Sequence, residues 1–255
     1  MIDLHCHVLP GLDDGPGTLA ESIALCRAAH CDGTRTLVAT PHVNWHYPEV
    51  SAAVIHDKVA EVNRALRGEA IELTVRTGGE VALSRAGELS DRDLRLLCLG
   101  GGPYLLLEMP WTSAARGALN ALRALANRGF GIVVAHPERS PMLQRETALV
   151  QELVDSGVLC CLDASSLGRR AERRTRSTAW KLLGTGLAHV IGSDAHDAVR
   201  RPPELSSALA RAGLKIAEID YFASEAPEAI IRGEPPPRAP EVGARRRDVW
   251  WRGGA

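Results

Sequence analysis

Short apolar runs alternate along the chain with longer stretches in which apolar residues recur every third or fourth position. The first run, Ile2-Asp3-Leu4-His5-Cys6-His7, has a period of two, which predicts a strand carrying His5 and His7 on one face. Thr18 and Glu21 form a capping-box signature ahead of a helix that runs to Gly33. Residues 36–39 read as a buried strand ending at Thr40-Pro41-His42, and Ile55, Val59, Val62 and Leu66 mark one face of the next helix. Further strands are expected over residues 71–75, 104–108, 131–136, 158–162 and 189–194. The later helices cover residues 113–129, the stretch bearing Leu149, Val150, Leu153 and Val154, and the neighbourhood of Trp180 and Leu183. Such alternation predicts an α/β fold with a parallel sheet of about seven strands, one fewer than in a regular barrel.

Composition narrows the class. The 255 residues suffice for one sizeable core, and 45% apolar with 24% charged residues is ordinary for a folded globular chain. No run reaches the roughly 18 apolar residues of a membrane span, so no stable membrane insertion is expected. A net charge of -1 argues against bulk nucleic-acid binding. The cysteines lack CxxC or disulfide-framework spacing and read as buried free thiols in a reducing compartment. No signal-peptide pattern precedes the candidate ligands, and a cytoplasmic location is expected.

The polar residues that matter track the strand ends. His5, His7, His42, Glu80, Glu108, His136, Asp194 and His196 each fall at or just beyond the C-terminal end of an expected strand, and Asp14 lies in the first loop. In a parallel barrel these ends share one rim, where active sites are built. Imidazoles and carboxylates gathered there are metal-ligand types. His30, His46, His56 and His189 fall elsewhere and read as structural or solvated.

Seven segments taken in order resemble the polymerase and histidinol phosphatase (PHP) superfamily, and within it the bacterial capsular-polysaccharide protein-tyrosine phosphatases. They are Asp3-Leu4-His5-Cys6-His7, Leu9-Pro10-Gly11-Leu12-Asp13-Asp14-Gly15, Ala39-Thr40-Pro41-His42, Gly79-Glu80, Leu107-Glu108, Ala135-His136-Pro137-Glu138-Arg139 and Ser193-Asp194-Ala195-His196. The resemblance implies a distorted (β/α)7, TIM-like barrel with its metal site at the C-terminal rim, holding three divalent metal ions, most often manganese. By motif, His5, His7, Glu80 and Asp194 hold one metal, and Glu80 bridges to a second held also by Glu108 and His136. Asp14, His42 and His196 hold the third. Ligand softness suits manganese, iron or zinc alike. Arg139 and Arg201 match the family's phosphate-binding arginines, with Arg200 a competitor for the second role, and a planar guanidinium suits phosphate oxygens.

The chemistry follows from charge. Four carboxylates against three divalent cations leave a surplus of about two positive charges, which favours hydroxide and a phosphate dianion, so no protein nucleophile is required. A phenol leaving group, with a pKa near 10, needs less protonation than an alkyl alcohol. Asp13 reads as a loop carboxylate bonded to the Gly-rich turn, with exchange for Asp14 as the alternative. Trp45, His46 and Tyr47 either wall an aromatic ring or pack their own loop, and Gly100-Gly101-Gly102 reads as a turn. Ser140 stands where related sequences tend to have an aromatic residue, and Asp163-Ala164-Ser165 replaces a segment that often begins with Asn.

The expected organisation is a phosphatase domain over residues 1–232 and a Pro-rich, basic tail over 233–255, either disordered or docking a partner or an anionic surface. The expected activity is hydrolysis of phosphotyrosine on a bacterial tyrosine kinase that regulates capsule or exopolysaccharide synthesis. The alternatives are a small-molecule phosphatase such as one for histidinol phosphate, a nuclease module and a non-catalytic scaffold.

Overall fold

The computed structural model describes residues 1–110 and 115–243. The strands among them are β1 (Ile2–Cys6), β2 (Thr36–Ala39), β3 (His42–Val43), β4 (Thr74–Arg76), β5 (Glu80–Ala82), β6 (Tyr104–Glu108), β7 (Gly131–Ala135), β8 (Leu159–Asp163) and β9 (Val190–Gly192). One sheet has the order β1-β2-β4 and the other β3-β5-β6-β7-β8-β9, with every pairing parallel. The strand–helix alternation thus becomes a parallel α/β fold, but with nine described strands in two sheets in place of about seven in one.

Two breaks account for the difference. Pro41 has no N–H to offer a ladder and separates β2 from β3. Gly78 and Gly79 separate β4 from β5 at a point of close approach, where a Cβ would stand 2.7 Å from Val38 and 2.9 Å from Leu97 respectively. Of the strand expected over residues 71–75, only Thr74 and Val75 pair, joined by Arg76. The Ile71 N–H closes the preceding helix by donating to the Leu66 carbonyl (3.0 Å), and the Leu73 N–H donates to Ile71 (2.9 Å), so that backbone is committed elsewhere.

The first and last strands meet beyond their sheets. Cys6 and Ala195 form a parallel bridge, the Asp194 N–H donates to the His5 carbonyl and the His7 N–H donates to the Ala195 carbonyl, each at 2.8 Å. Buried Asp3 fastens the two segments by accepting from the Ser193 N–H at 3.0 Å and the His5 N–H at 3.1 Å.

The helices pack against the strands. The expected capping box is present, with the Glu21 N–H donating to Thr18 Oγ1 (3.3 Å) and the Thr18 N–H donating to the Glu21 carboxylate (3.0 Å) at the start of Leu19–Cys31. Asp32, one residue past that helix, accepts three backbone N–H groups, from Leu205, Ser206 and Ser207, at the start of Ser206–Ala212. Leu122 and Leu125 are buried on Ala115–Asn127, whose expected start at residues 113–114 lies outside the described residues. All six cysteines are free, and only Cys31 is exposed. Beyond Gly233 the chain still touches the body: the Tyr221 hydroxyl donates to the Pro237 carbonyl (2.7 Å) and Val242 is buried. Residues Arg245, Arg246, Arg247, Trp250 and Trp251 of the expected basic tail lie outside the described residues.

Gly192 lets β9 lie against β1, because a Cβ there would stand 2.7 Å from the His5 Cβ. Gly192→Ala is expected to lower stability by about 1–3 kcal/mol through overpacking, measured as a denaturation midpoint. An unchanged midpoint would show that the two strands have room to spare.

Candidate metal centre

All nine expected ligands converge where the strands end. Glu80, the first residue of β5, sits among four imidazoles: Oε1 is 2.8 Å from His136 Nε2, and Oε2 is 3.0 Å from His42 Nδ1, 3.4 Å from His7 Nε2 and 3.5 Å from His5 Nε2. Asp194 Oδ1 lies 3.3 Å from His5 Nε2 and 3.4 Å from His7 Nε2. Asp14 Oδ1 is 3.2 Å from His196 Nε2 and 3.6 Å from His42 Nε2. Glu108 joins His42 and Glu80 in a third group, with ligand atoms within 4.8 Å of one another.

Local backbone conformation aims two of these side chains. His136 (φ 30°) and Asp194 (φ 49°), just past β7 and β9, are left-handed without being glycine. Such residues cost about 1–3 kcal/mol and persist where surrounding structure holds them. The tautomers of two rings are fixed by acceptors at Nδ1. His7 Nδ1–H donates to Asp13 Oδ2 (2.7 Å) and His196 Nδ1–H donates to the Asp194 carbonyl (2.9 Å), so each presents Nε2 to the cluster. Asp13 does bond its Gly-rich turn, accepting from the Gly15 N–H (3.0 Å), but it also accepts from the His42 N–H (2.9 Å) and so orients two imidazole-bearing segments at once.

The donor atoms have the mark of a cation site. His42 Nδ1, Glu80 Oε2 and His196 Nε2 are buried and lack hydrogen-bond partners, although the first two face each other and the third faces Asp14 Oδ1. A buried unsatisfied polar atom costs about 1–3 kcal/mol, which a shared divalent cation would offset. Imidazole nitrogen with carboxylate oxygen fits manganese, iron or zinc. Proximity alone groups His7 with Asp14, His42 and His196, and also with His5 and Glu80. Because Asp13 occupies Nδ1 of His7, its remaining nitrogen faces His5, Glu80 and Asp194, the grouping that the resemblance implies.

Charge within the cluster is strongly coupled. Burial opposes ionisation of Glu80, yet His5 and His136 hold its carboxyl well below the usual range. Burial likewise pulls His136 down, but the Glu80 carboxylate outweighs it and pushes the imidazole up to about 9. His196 brings Asp14 down to about 2.

Both expected arginines reach the cluster. Arg139 donates to Asp194 Oδ2 (2.7 Å) and to Asp163, and Arg201 donates to Asp194 Oδ2 (2.7 Å). Arg200 turns away, 89% exposed and 3.6 Å from Asp197. Beside the cluster lie three further buried carboxylates, Asp3, Glu138 and Asp163, to which the sequence alone gives no role. The alternation of β1 places Asp3 on the His5 face, a signal that was available.

A cleft of about 620 Å³ opens beside the cluster, lined in part by His42, Trp45, Tyr47, Leu83, Glu108 and Met109. The Tyr47 ring lies parallel to His42 at 5.9 Å, and Arg85 covers Trp45 at 4.4 Å. Trp45, His46 and Tyr47 therefore form part of a wall shared with the candidate ligand His42.

A buried imidazole–carboxylate cluster, flanked by two arginines in a parallel α/β fold, defines a candidate metal centre. The chain belongs to the capsular polysaccharide synthesis CpsB/CapC family, whose model matches residues 1–231. It is 31% identical to tyrosine-protein phosphatase YwqE of Bacillus subtilis, over 98% of this chain and 99% of the relative. It is 27% identical to tyrosine-protein phosphatase CpsB of Streptococcus pneumoniae, over 82% of this chain and 88% of the relative. A crystal structure from the work on YwqE and CpsB, described there as unique metal-dependent tyrosine phosphatases, superposes with a TM-score of 0.83 at 30% identity. That match covers 97% of this chain and 100% of the other.

Metal ligands must be unprotonated, whereas metal-free His136 keeps its proton up to about pH 9. Metal uptake at pH 7 is therefore expected to release protons, and metal affinity to rise as pH climbs toward 9. Calorimetric titration of manganese into the metal-free protein should give enthalpies that differ between buffers of unlike ionisation enthalpy. Equal enthalpies would show that metal binding displaces no proton from His136.

Proposed function

We propose that the protein is a metal-dependent protein-tyrosine phosphatase acting on a phosphorylated bacterial tyrosine kinase that regulates capsule or exopolysaccharide synthesis. The observation that carries this reading is the cleft beside Glu108 and His42, whose Trp45, Tyr47, Leu83 and Met109 suit the flat apolar ring of a phosphotyrosine. The relatives named tyrosine-protein phosphatases, matched along most of their length, support it.

The cofactor is read as three divalent cations, manganese with iron or zinc as alternatives, held by His5, His7, Asp14, His42, Glu80, Glu108, His136, Asp194 and His196. When bound, such cations supply Lewis acidity that lowers the pKa of water and offsets phosphoryl charge. The chain's own residues do the rest. Asp13 fixes the ring of His7 and the backbone of His42. Arg139 and Arg201 present guanidinium donors to phosphoryl oxygens from the Asp194 side. Tyr47 and Trp45 hold the aryl group, and its departure as a phenol makes little demand for a general acid.

The fold is read as one distorted (β/α)7, TIM-like barrel. Treating β2 with β3 and β4 with β5 as single interrupted strands leaves seven, and the Cys6–Ala195 bridge draws the last toward the first. No described helix is long and apolar enough to cross a membrane, and the proposed location is the cytoplasm. Residues 1–232 form the proposed phosphatase domain, with 233–255 as its tail.

The manganese-loaded protein is expected to show a kcat/KM on a phosphotyrosine peptide at least about tenfold above that on histidinol phosphate, the discrimination a fitted apolar pocket supplies. Equal values, or a preference for histidinol phosphate, would overturn the reading.

A further inference from the structure

Asp163 ends β8 with its side chain 1% exposed. Its own N–H donates to Glu138 Oε1 (2.9 Å), Oδ1 accepts from the Ser165 N–H (2.7 Å), and Oδ2 accepts from the Ser165 hydroxyl (2.7 Å) and from Arg139. Glu138, which anchors this arrangement, is fully buried. Asp163 belongs to none of the metal-ligating groups among the described residues. Its carboxylate is nevertheless rigidly held and spends one oxygen on an arginine that also touches the cluster.

Arg139 is thus suspended between two buried carboxylates, one terminal nitrogen on Asp163 and the other on Asp194 Oδ2 at 2.7 Å. A guanidinium has five N–H donors, so two commitments leave three for an incoming anion. Held at one end only, the long side chain would lose rotamer freedom when it captured phosphate. Held at both ends, it has lost that freedom before the anion arrives.

We propose that Asp163 is a positioning residue for Arg139, aiming its guanidinium so that a phosphate dianion meets a pre-set donor fork beside the cluster. The proposal rests on the phosphatase reading for its catalytic consequence, but not for its effect on anion binding.

The test compares wild type, Asp163→Asn, Arg139→Ala and the double variant, all manganese-loaded, on para-nitrophenyl phosphate and, by calorimetry, on inorganic phosphate. Asp163→Asn keeps an acceptor for Ser165 and loses the charge that grips Arg139. It is expected to raise KM and the phosphate Kd about tenfold with kcat and metal content near wild type. In the Arg139→Ala background the same change should alter both by less than about twofold, because the residue it positions is gone. Additive effects, a tighter phosphate Kd, loss of metal in Asp163→Asn, or no phosphate binding by wild type would each overturn the proposal. If wild type hydrolyses no aryl phosphate, the phosphatase reading falls, and the Kd series decides the positioning role alone.

Discussion

The structure turns on one buried carboxylate. Glu80 is 1% exposed and surrounded by His5, His7, His42 and His136, four rings carried by three strand segments, β1 with the residue after it, β3, and the residue after β7. A carboxylate so buried is costly unless compensated, and here the compensation comes from every side of the site. Its Oε2, left without a hydrogen bond among three imidazoles, is the atom around which a cation would be shared. The cluster is therefore built for charge balance supplied by a bound ion more than for hydrogen bonding among its members.

The architecture serves that convergence. The break at Pro41 turns His42 into a separate short strand beside Glu80, with which it pairs in parallel register. Gly78 and Gly79 let the neighbouring segment pass close to Val38 and Leu97 before Glu80 begins β5. On the other side, Asp3 ties β1 to Ser193, which brings His5 and His7 against Asp194. Strained backbone at His136 and Asp194 completes the inward aim. Cleft, cluster and arginines then adjoin one another, with the apolar wall on the His42 side and the arginines on the Asp194 side.

Most of the candidate ligands were legible because they stand at or just past the end of an apolar run, Asp14 in the first loop being the exception. Glu108 closes β6, and His136 directly follows β7, both as periodicity predicted. The split into β3 and β5 was not legible, since two- and three-residue strands carry no measurable alternation. Asp163 stands one residue past the expected strand end, and its grip on Arg139, which is 24 residues away in the chain, leaves no sign in the local pattern. Glu138 was hidden differently: a charged residue in a turn after a left-handed histidine gives no sequence sign that it is fully buried. The choice between Arg200 and Arg201 was equally beyond spacing, because it depends on which way each side chain leaves an exposed turn.

The most direct measurement of the central claim is anomalous diffraction from crystals of the protein soaked in manganese. The account predicts anomalous peaks within bonding distance of Glu80 Oε2 and His42 Nδ1, the buried atoms that lack hydrogen-bond partners. Peaks only at surface carboxylates, with the Glu80 cluster empty, would contradict it.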